Sequence, residues 1–347
     1  MSGRLLERIE QVFAIGEGPG ANRVGYGDGE QRAHDLVAGW LEEAGLAVEI
    51  DPDGNLLGRL PGHDPGGGEI WTGSHLDSVP NGGRFDGVLG VLAGLDAIER
   101  IGRARRTLAV VAFRDEEVGF GGSLARVRRG PLPEAYLEAH IEQGPVLLRT
   151  GASLGIVTAI AGLARGEVVL DGAAGHAGTT PMEARRDALC AAAEFVLRAR
   201  DAATSIPDAV ATVGRLDVEP GAENVIPARA TASIDARAPD RERLDSLVAA
   251  IGFEPTLRTE PAVMDAAVRT VLHEELERRG LASPELVSGA GHDAGVLAGA
   301  GVRCGMLFVR SGAGGISHAP EEWSEPEDVD LCVDVLAASL KRLANAP

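Results

Sequence analysis

The segment TLAVVAFRDEE, residues 107–117, has six consecutive apolar residues, one arginine and then three acidic residues. Such a run is typical of a strand covered on both faces, as in a parallel sheet. Further strand-like segments lie at residues 54–62 and 68–77, and apolar residues recur at helical spacing at 31–44 and 88–98. The first part of the chain therefore predicts alternating β and α units around an open α/β sheet.

A different pattern occupies residues 163–264. The segments RGEVVLDG, ATVGRLDVEPG and ATASIDARAP alternate like half-exposed strands, and helical spacing occurs at 182–203 and 240–251. The α/β pattern then resumes. We expect a mixed-sheet domain formed by residues 1–162 and 265–347, with a smaller α+β domain inserted at 163–264.

Composition excludes several classes of protein. The chain has 33 basic and 52 acidic residues, a net charge of −19, which opposes binding to nucleic acid. Its three cysteines, Cys190, Cys304 and Cys332, show no paired spacing and are typical of isolated thiols in a reducing compartment. No signal-like or membrane-spanning run is present, so we expect a soluble cytoplasmic protein.

Histidines and acids follow the predicted strands. His75 and Asp77 come after EIWTGS, Glu116 and Glu117 end the segment quoted above, and His318 comes after GMLFVRSGAGGIS. Because ligands bind outside the carboxyl ends of strands in open α/β sheets, we expect these side chains to converge.

The segment GSHLDSVPNGGRFDG, residues 73–87, allows three interpretations: a polar surface loop, part of a catalytic triad, or part of a metal site. Neither Ser74 nor Ser317 lies in a GxSxG elbow, which disfavours the triad. Imidazoles with carboxylates are ligands for Zn²⁺, Mn²⁺, Co²⁺ or Ni²⁺, and buried carboxylates without a cation are costly. The combination, with Asp86 opening the next helix, favours the metal site.

Seven segments occur in an order that identifies a family: GSHLDSVPNGGRFDG, DEE, LEAHIEQGP, GHAGTTPMEARRDAL, NVIPARATASIDAR, SGAGHDAG and GISHAPEEW. From about residue 30 to residue 340 the chain resembles the binuclear-metal amidohydrolases of the hydantoinase/carbamoylase branch. This branch includes N-carbamoyl-L-amino-acid hydrolases, allantoate amidohydrolases and β-ureidopropionases, and it is related to aminoacylase and carboxypeptidase-like metallopeptidases.

The resemblance implies two divalent metal ions per subunit, Zn, Mn, Co or Ni. His75 and His140 would bind one ion, Glu117 and His318 would bind the other, and Asp86 would bridge them.

The resemblance also implies catalytic roles. Asp77 would orient His75, and Glu116 would be the general base for the attacking water. Since adjacent strand residues point in opposite directions, we expect Glu116 and Glu117 to differ in role.

The inserted domain resembles a lid and dimerisation domain, which implies a homodimer. His176 would donate to the oxyanion, while Asn224 and Arg237, with Gln143 beside them, would bind a substrate carboxylate. His292 would line the pocket.

The sequence departs from the family between Glu117 and His140, where only 22 residues lie and relatives carry a longer segment. Val118 also replaces the usual glycine. We expect hydrolysis of an N-carbamoyl-L-amino acid. The alternatives are allantoate or another ureido acid, an N-acyl amino acid, or a catalytically silent dimeric binding protein.

Overall fold

The computed structural model describes residues 2–64, 66–282 and 284–346, and the chain divides into two units. The first unit comprises Met1–Thr158 and Met264–Pro347, and the second comprises Ala159–Val263. In chain order the elements are α1 (Ser2–Phe13), α2 (Asp28–Glu43), β1 (Ala47–Ile50), β2 (Leu56–Leu60), β3 (Ile70–His75), α3 (Val88–Ile101), β4 (Leu108–Phe113), α4 (Glu116–Gly119), α5 (Gly121–Arg129), β5 (Ala135–Ile141), α6 (Val146–Thr150), β6 (Leu154–Ile160), β7 (Gly162–Asp171), α7 (Ala188–Ser205), β8 (Val210–Thr212), β9 (Leu216–Glu219), β10 (Arg229–Ala238), α8 (Arg241–Ile251), β11 (Leu257–Thr259), β12 (Ala262–Val263), α9 (Ala266–Glu277), β13 (Glu285–Ser288), α10 (Asp293–Gly299), β14 (Arg303–Val309) and α11 (Pro326–Asn345).

The first unit is built on a mixed sheet with strand order β1-β2-β4-β3-β5-β14-β6, and β13 also pairs with β6. The strands β4, β3, β5 and β14 are mutually parallel, β2 pairs antiparallel with β4, β6 pairs antiparallel with β14, and β1 pairs antiparallel with β2. Every residue of β3, β4 and β5 is buried, as the apolar run of β4 predicts for that strand. The parallel centre of the sheet brings four carboxyl ends to one edge.

The core of the first unit is aliphatic. The helix α3 is buried from Val88 to Ile98 and packs against α1 and α11. Leucines and valines dominate the cluster that joins these helices to the sheet, and aromatic residues are few. A core of branched, well-packed side chains holds the sheet, and with it the strand ends, in fixed positions.

The second unit has a five-stranded antiparallel sheet covered by two helices. Strands β7 and β10 pair over ten residues, β8 and β9 also pair with β10, and β11 pairs with β7. Alternate alanines of β10 face α7 and α8, where Phe195, Leu244 and Leu247 are fully buried. The other face of β10 carries polar residues. The predicted fold class, an open mixed α/β sheet with a smaller inserted α+β unit, is confirmed.

One helix begins later than predicted. The periodicity predicted a helix from residue 182, whereas α7 begins at Ala188 after a 3-10 turn at Met182–Ala184. The Asp187 carboxylate accepts hydrogen bonds from the amides of Leu189 and Cys190 and so caps the helix there. None of the helices in the described part of the chain is long and apolar enough to cross a membrane.

Candidate metal centre

The polar residues that follow the parallel strands lie together. His75 ends β3, His140 lies near the end of β5, and His318 lies in the loop after β14. Glu116 and Glu117 follow β4, and Asp86 precedes α3. All of these side chains except Glu116 fall into two groups of three that share Asp86, and within each group the candidate ligand atoms lie within 4.8 Å of one another.

The first ligand group consists of His75, Asp86 and His140, all buried. Asp86 Oδ1 lies 3.2 Å from His140 Nε2 and 3.6 Å from His75 Nε2. His140 Nδ1 lies 2.9 Å from the carbonyl oxygen of Ile141, which places the proton on Nδ1 and leaves the Nε2 lone pair directed at the site.

The second ligand group consists of Asp86, Glu117 and His318. His318 Nε2 lies 3.3 Å from Asp86 Oδ2 and 3.5 Å from Glu117 Oε2. Asp86 thus presents one oxygen to each group, the arrangement of a bridging carboxylate. The His318 side chain is 49% exposed, whereas that of His75 is 1% exposed.

Asp77 connects the His75 ring to the turn that carries the glutamates. Its Oδ1 lies 3.2 Å from His75 Nδ1, and its two oxygens accept hydrogen bonds from the backbone N–H groups of Glu116 (3.2 Å) and Glu117 (3.1 Å). It is fully buried. Asp77 therefore fixes the ring that carries one candidate ligand atom and the backbone that carries another.

The expectation that Glu116 and Glu117 lie on a strand is wrong. Strand β4 ends at Phe113, and the two glutamates begin the four-residue helix α4. Asp115 turns the chain there with a left-handed φ of 55°, and its N–H donates to the buried Glu30 carboxylate. Glu116 Oε2 lies 3.7 Å from His75 Nε2, while Glu117 faces His318, so the two side chains lie on different sides of the centre.

The electrostatics of the centre favour positive charge. Burial lowers the pKa of His75, but Glu116, Asp77 and Asp86 together raise that pKa well above its usual value. The hydrogen bond to Asp86 raises the pKa of His318 to about 9. Burial opposes ionisation of Asp86, yet the three histidines hold its pKa well below the usual range. The acids around the centre therefore favour a positively charged group there.

The donor set fits divalent metal ions. His140 Nε2 and Glu117 Oε1 are buried and have no hydrogen-bond partner among the described residues, although both belong to the ligand groups. Imidazole nitrogens with carboxylate oxygens suit Zn²⁺, Mn²⁺, Co²⁺ and Ni²⁺. A cation would compensate the burial of these carboxylates.

Two residues predicted to bind substrate also lie in the first unit. Gln143 has a left-handed φ of 56°, and its Nε2 donates to Asp86 Oδ2 at 2.9 Å. The ring of His292 lies 4.5 Å from that of His140, and its Nε2 is 2.9 Å from Ser288 Oγ. Both therefore border the ligand groups.

The other three predicted residues lie in the second unit. His176 and Asn224 are neighbours there: the N–H of Ala177 donates to the carbonyl oxygen of Asn224 at 2.9 Å. Arg237 lies on the polar face of β10, and its Nε and Nη2 donate to the two carboxylate oxygens of Asp235 at 2.9 and 3.0 Å. Their roles toward a substrate stay predictions.

Two residues of the centre's surroundings were missed by the sequence analysis. Arg23 is fully buried, and burial lowers its pKa to about 10 although the carboxylates of the centre raise it. Glu322, buried beside Asp86, accepts hydrogen bonds from the backbone there. The segment GISHAPEEW held a signal for Glu322, because an acid close to a candidate ligand histidine is a common supporting residue. Nothing in the sequence around Arg23 indicated that its side chain lies near the candidate ligands.

Comparisons with known proteins show the family to which the chain belongs. The pattern of Peptidase family M20/M25/M40, a metal-dependent family, matches residues 71–342. The chain is 36% identical to the N-carbamoyl-L-amino acid amidohydrolase of Geobacillus stearothermophilus, covering 99% of this chain and 98% of the relative. It is 32% identical to the allantoate amidohydrolase of Bacillus subtilis, covering 98% and 96%.

Among solved structures, the chain is similar to an amidase of the hydantoinase/carbamoylase family from Burkholderia multivorans, with a TM-score of 0.92, 31% identity and coverage of 100% and 98%. The alignment with the Geobacillus enzyme has 404 positions against 347 residues in this chain, so at least 57 positions have no counterpart here (404 − 347).

Proposed function

This chain belongs to peptidase family M20/M25/M40, within the hydantoinase/carbamoylase amidases, and is a hydrolase of carbon–nitrogen bonds other than peptide bonds; we propose that its substrate is an N-carbamoyl-L-amino acid. The products would be the L-amino acid, CO₂ and ammonia. The observation that carries the proposal is the pair of ligand groups that share Asp86, with Glu116 beside them. Two N-carbamoyl-L-amino-acid amidohydrolases, at 36% and 34% identity, favour this substrate.

We assign one divalent ion to each ligand group: His75, Asp86 and His140 for the first, and Asp86, Glu117 and His318 for the second. When bound, such ions supply Lewis acidity to the scissile carbonyl and to the attacking water. The separate oxygens of Asp86 support a bridging role.

Glu116 is the general base of this proposal. Burial raises its pKa well above the usual value for a glutamate, and the Asp293 and Glu117 carboxylates raise it further, while His75 opposes them. A carboxylate with a raised pKa is a stronger base for the attacking water. Glu116 takes the water's proton as the oxygen adds to the ureido carbonyl. It then delivers this proton to the amino acid nitrogen as the C–N bond breaks, and the carbamic acid released decomposes to CO₂ and ammonia.

The second unit would supply substrate contacts. We assign His176 as a donor to the developing oxyanion and Asn224 with Arg237 to the substrate carboxylate. Arg237 pairs with Asp235 through Nε and Nη2, so a substrate carboxylate would compete with Asp235 for this edge of the guanidinium. Gln143 and His292, which border the ligand groups, would contact the reacting end of the substrate.

We also propose that the protein acts as a homodimer.

Turnover of a substrate panel tests the proposal. Dialysed protein is reloaded separately with Mn²⁺, Zn²⁺, Co²⁺ or Ni²⁺ and offered N-carbamoyl-L-amino acids, allantoate and N-acyl amino acids, with the metal-free protein as control. Ammonia is measured for the first two classes, and the free amino acid is measured for the N-acyl amino acids, whose hydrolysis releases no ammonia. We expect metal-dependent ammonia release, fastest from an N-carbamoyl-L-amino acid. Allantoate is the second candidate because of the Bacillus relative. If metal-loaded protein turned over no member of the panel, the chain would be a binding protein and the proposed function would be wrong.

A further inference from the structure

Glu322 is buried, with 1% of its surface exposed, yet it belongs to neither ligand group of the centre. Its Oε1 accepts hydrogen bonds from the backbone N–H groups of Phe85 at 2.8 Å and Asp86 at 3.1 Å. Its Oε2 accepts the hydroxyl of Ser317 at 2.8 Å. Three donors occupy the carboxylate, and all three belong to segments that carry a candidate ligand.

These bonds join two ligand segments that are far apart in the sequence. Asp86 and Glu322 are 236 residues apart, and Ser317 directly precedes His318. Ser317 Oγ also lies 3.3 Å from Asp86 Oδ2, the oxygen that faces the second ligand group. Glu322, Ser317 and Asp86 thus form a closed ring of contacts around that oxygen.

The loop before Asp86 is shaped to admit Glu322. A Cβ atom at Gly83 would lie 2.0 Å from the carboxyl carbon of Glu322, a distance that no side chain tolerates. The next residues are anchored from the same side, since the Phe85 ring meets that of Trp323 edge to face at 5.8 Å. Gly83 therefore leaves room for the Glu322 carboxylate, and the contact between Phe85 and Trp323 holds the two segments together.

His318 needs such support more than the other ligand residues. It has a left-handed φ of 57°, a conformation that is uncommon for residues other than glycine and that its surroundings must stabilise. Its loop also contains Ala313 and two glycines with positive φ. The hydrogen bond between Ser317 and Glu322 connects this loop to the segment that carries Asp86.

We propose that Glu322 is a positioning residue for the metal centre: it fixes the backbone of Asp86 and, through Ser317, the loop that carries His318, and so sets the affinity for the ion of the second ligand group. This inference rests on the two-ion site of the proposed function. Glu322 belongs to neither ligand group, and its two oxygens accept three hydrogen bonds, so its role would be to position the ligands rather than to bind the ion. The first group depends on it less, since His75 and His140 lie on strands.

Titration of the metal-free protein with Mn²⁺, followed by the electron paramagnetic resonance signal of free Mn²⁺, tests the proposal. The variants are Glu322→Ala, Glu322→Gln and Ser317→Ala, and the control is Glu321→Gln, which removes a charge from the exposed neighbouring residue. We expect Glu322→Ala to weaken the second Mn²⁺ about 10- to 100-fold, as is typical when a residue supporting a metal ligand is lost. The first Mn²⁺ should change less. Glu322→Gln, which retains a carbonyl oxygen for the two backbone donors, should lie between Glu322→Ala and the wild type.

Thermal unfolding of each metal-free variant separates positioning from a general structural role. If Glu322 served stability alone, its variants would unfold at lower temperature and both Mn²⁺ affinities would fall in parallel, which would overturn the proposal. Ser317→Ala removes one hydroxyl and keeps the carboxylate, so it tests the link to His318 if Glu322→Ala does not fold. Unchanged Mn²⁺ affinities in Ser317→Ala and Glu322→Gln would also overturn the proposal.

Because the Mn²⁺ titration measures binding and not turnover, it tests the role of Glu322 separately from the proposed hydrolase function. Wild-type protein that binds two Mn²⁺ ions but releases no ammonia would contradict the function and leave the role of Glu322 intact. Wild-type protein that binds fewer than two ions would overturn both.

Discussion

The two ligand groups share Asp86 but differ in how their other ligands are held. His75 and His140 lie on neighbouring buried strands, and hydrogen-bonded or closely placed groups fix both rings. Glu117 begins a four-residue helix, and His318 lies on a half-exposed loop with a left-handed backbone. Strands therefore position the two histidines of the first group, whereas Glu117 and His318 of the second depend on contacts between a short helix and loops. We therefore expect the first ion to bind more tightly than the second.

Removal of the shared carboxylate is expected to have the largest effect. Asp86→Ala takes one ligand from each group and leaves His140 and His318 without their common partner. Both ions should be lost on dialysis, and ammonia release should fall to the background rate. Metal analysis and activity on the same sample check this, with Asp96→Asn on helix α3 as a control outside the centre. Retention of one tightly bound ion would break the assignment of Asp86 as a bridge.

The adjacent glutamates provide the next test, because they lie on different sides of the centre. Glu116→Gln should retain both ions and lower kcat by about 10²- to 10⁴-fold, the usual contribution of a general base. Glu117→Gln should instead weaken the second ion, since Glu117 lies 3.5 Å from His318. Steady-state kinetics with metal analysis separate the two. Full activity in Glu116→Gln would refute its role as base.

Single histidine variants compare the two groups directly. Loss of a direct ligand should cost more than loss of a supporting residue, so we expect the affinity for the affected ion to fall by at least about 100-fold. His318→Ala should spare the first ion, and excess Mn²⁺ should restore part of its activity. His140→Ala should weaken the first ion and lower the thermal stability of the metal-loaded protein. Identical Mn²⁺ titrations of the two variants would show that the groups do not bind separate ions.

The strands of both units and the convergence of His75 with His318 could be predicted from sequence because they depend on local patterns. Six apolar residues before Arg114 predicted a buried strand, and alternation around Ala230–Ala238 predicted a half-exposed one. The positions of His75 and His318 after strands predicted convergence, because the carboxyl ends of parallel strands share one edge. The residue types favoured a metal site, and the family resemblance implied which residues bind each of two ions.

The remaining features depend on contacts that leave no local pattern. Glu322 reaches Asp86 across 236 residues, and the cation of Arg23 is buried among acids supplied by other segments. The helical turn of Glu116 follows from the left-handed Asp115, which Glu30 holds from α2. Periodicity describes one segment at a time, so it cannot locate a residue whose conformation is fixed by a distant one.

The smallest expected effect is the change with pH in the protein's affinity for the second ion. The raised pKa of His318, about 9, means that its imidazole is protonated at neutral pH when no metal is bound. A metal ion must displace that proton, so affinity should rise with pH, by up to about tenfold per unit, and level off above pH 9. Mn²⁺ titrations between pH 6.5 and about 8.5 measure this slope. His318→Ala should flatten the slope for the second ion, and an equal slope in that variant would assign the proton elsewhere.

The most direct test of the shared-carboxylate centre is a stepwise Mn²⁺ titration of metal-free wild-type protein, with bound Mn²⁺ and ammonia release from an N-carbamoyl-L-amino acid measured at every step. We predict two classes of site, a tighter one filled first and a weaker one, with ammonia release following occupancy of the weaker site. A single bound ion per chain, or full activity after the first equivalent, would contradict the account.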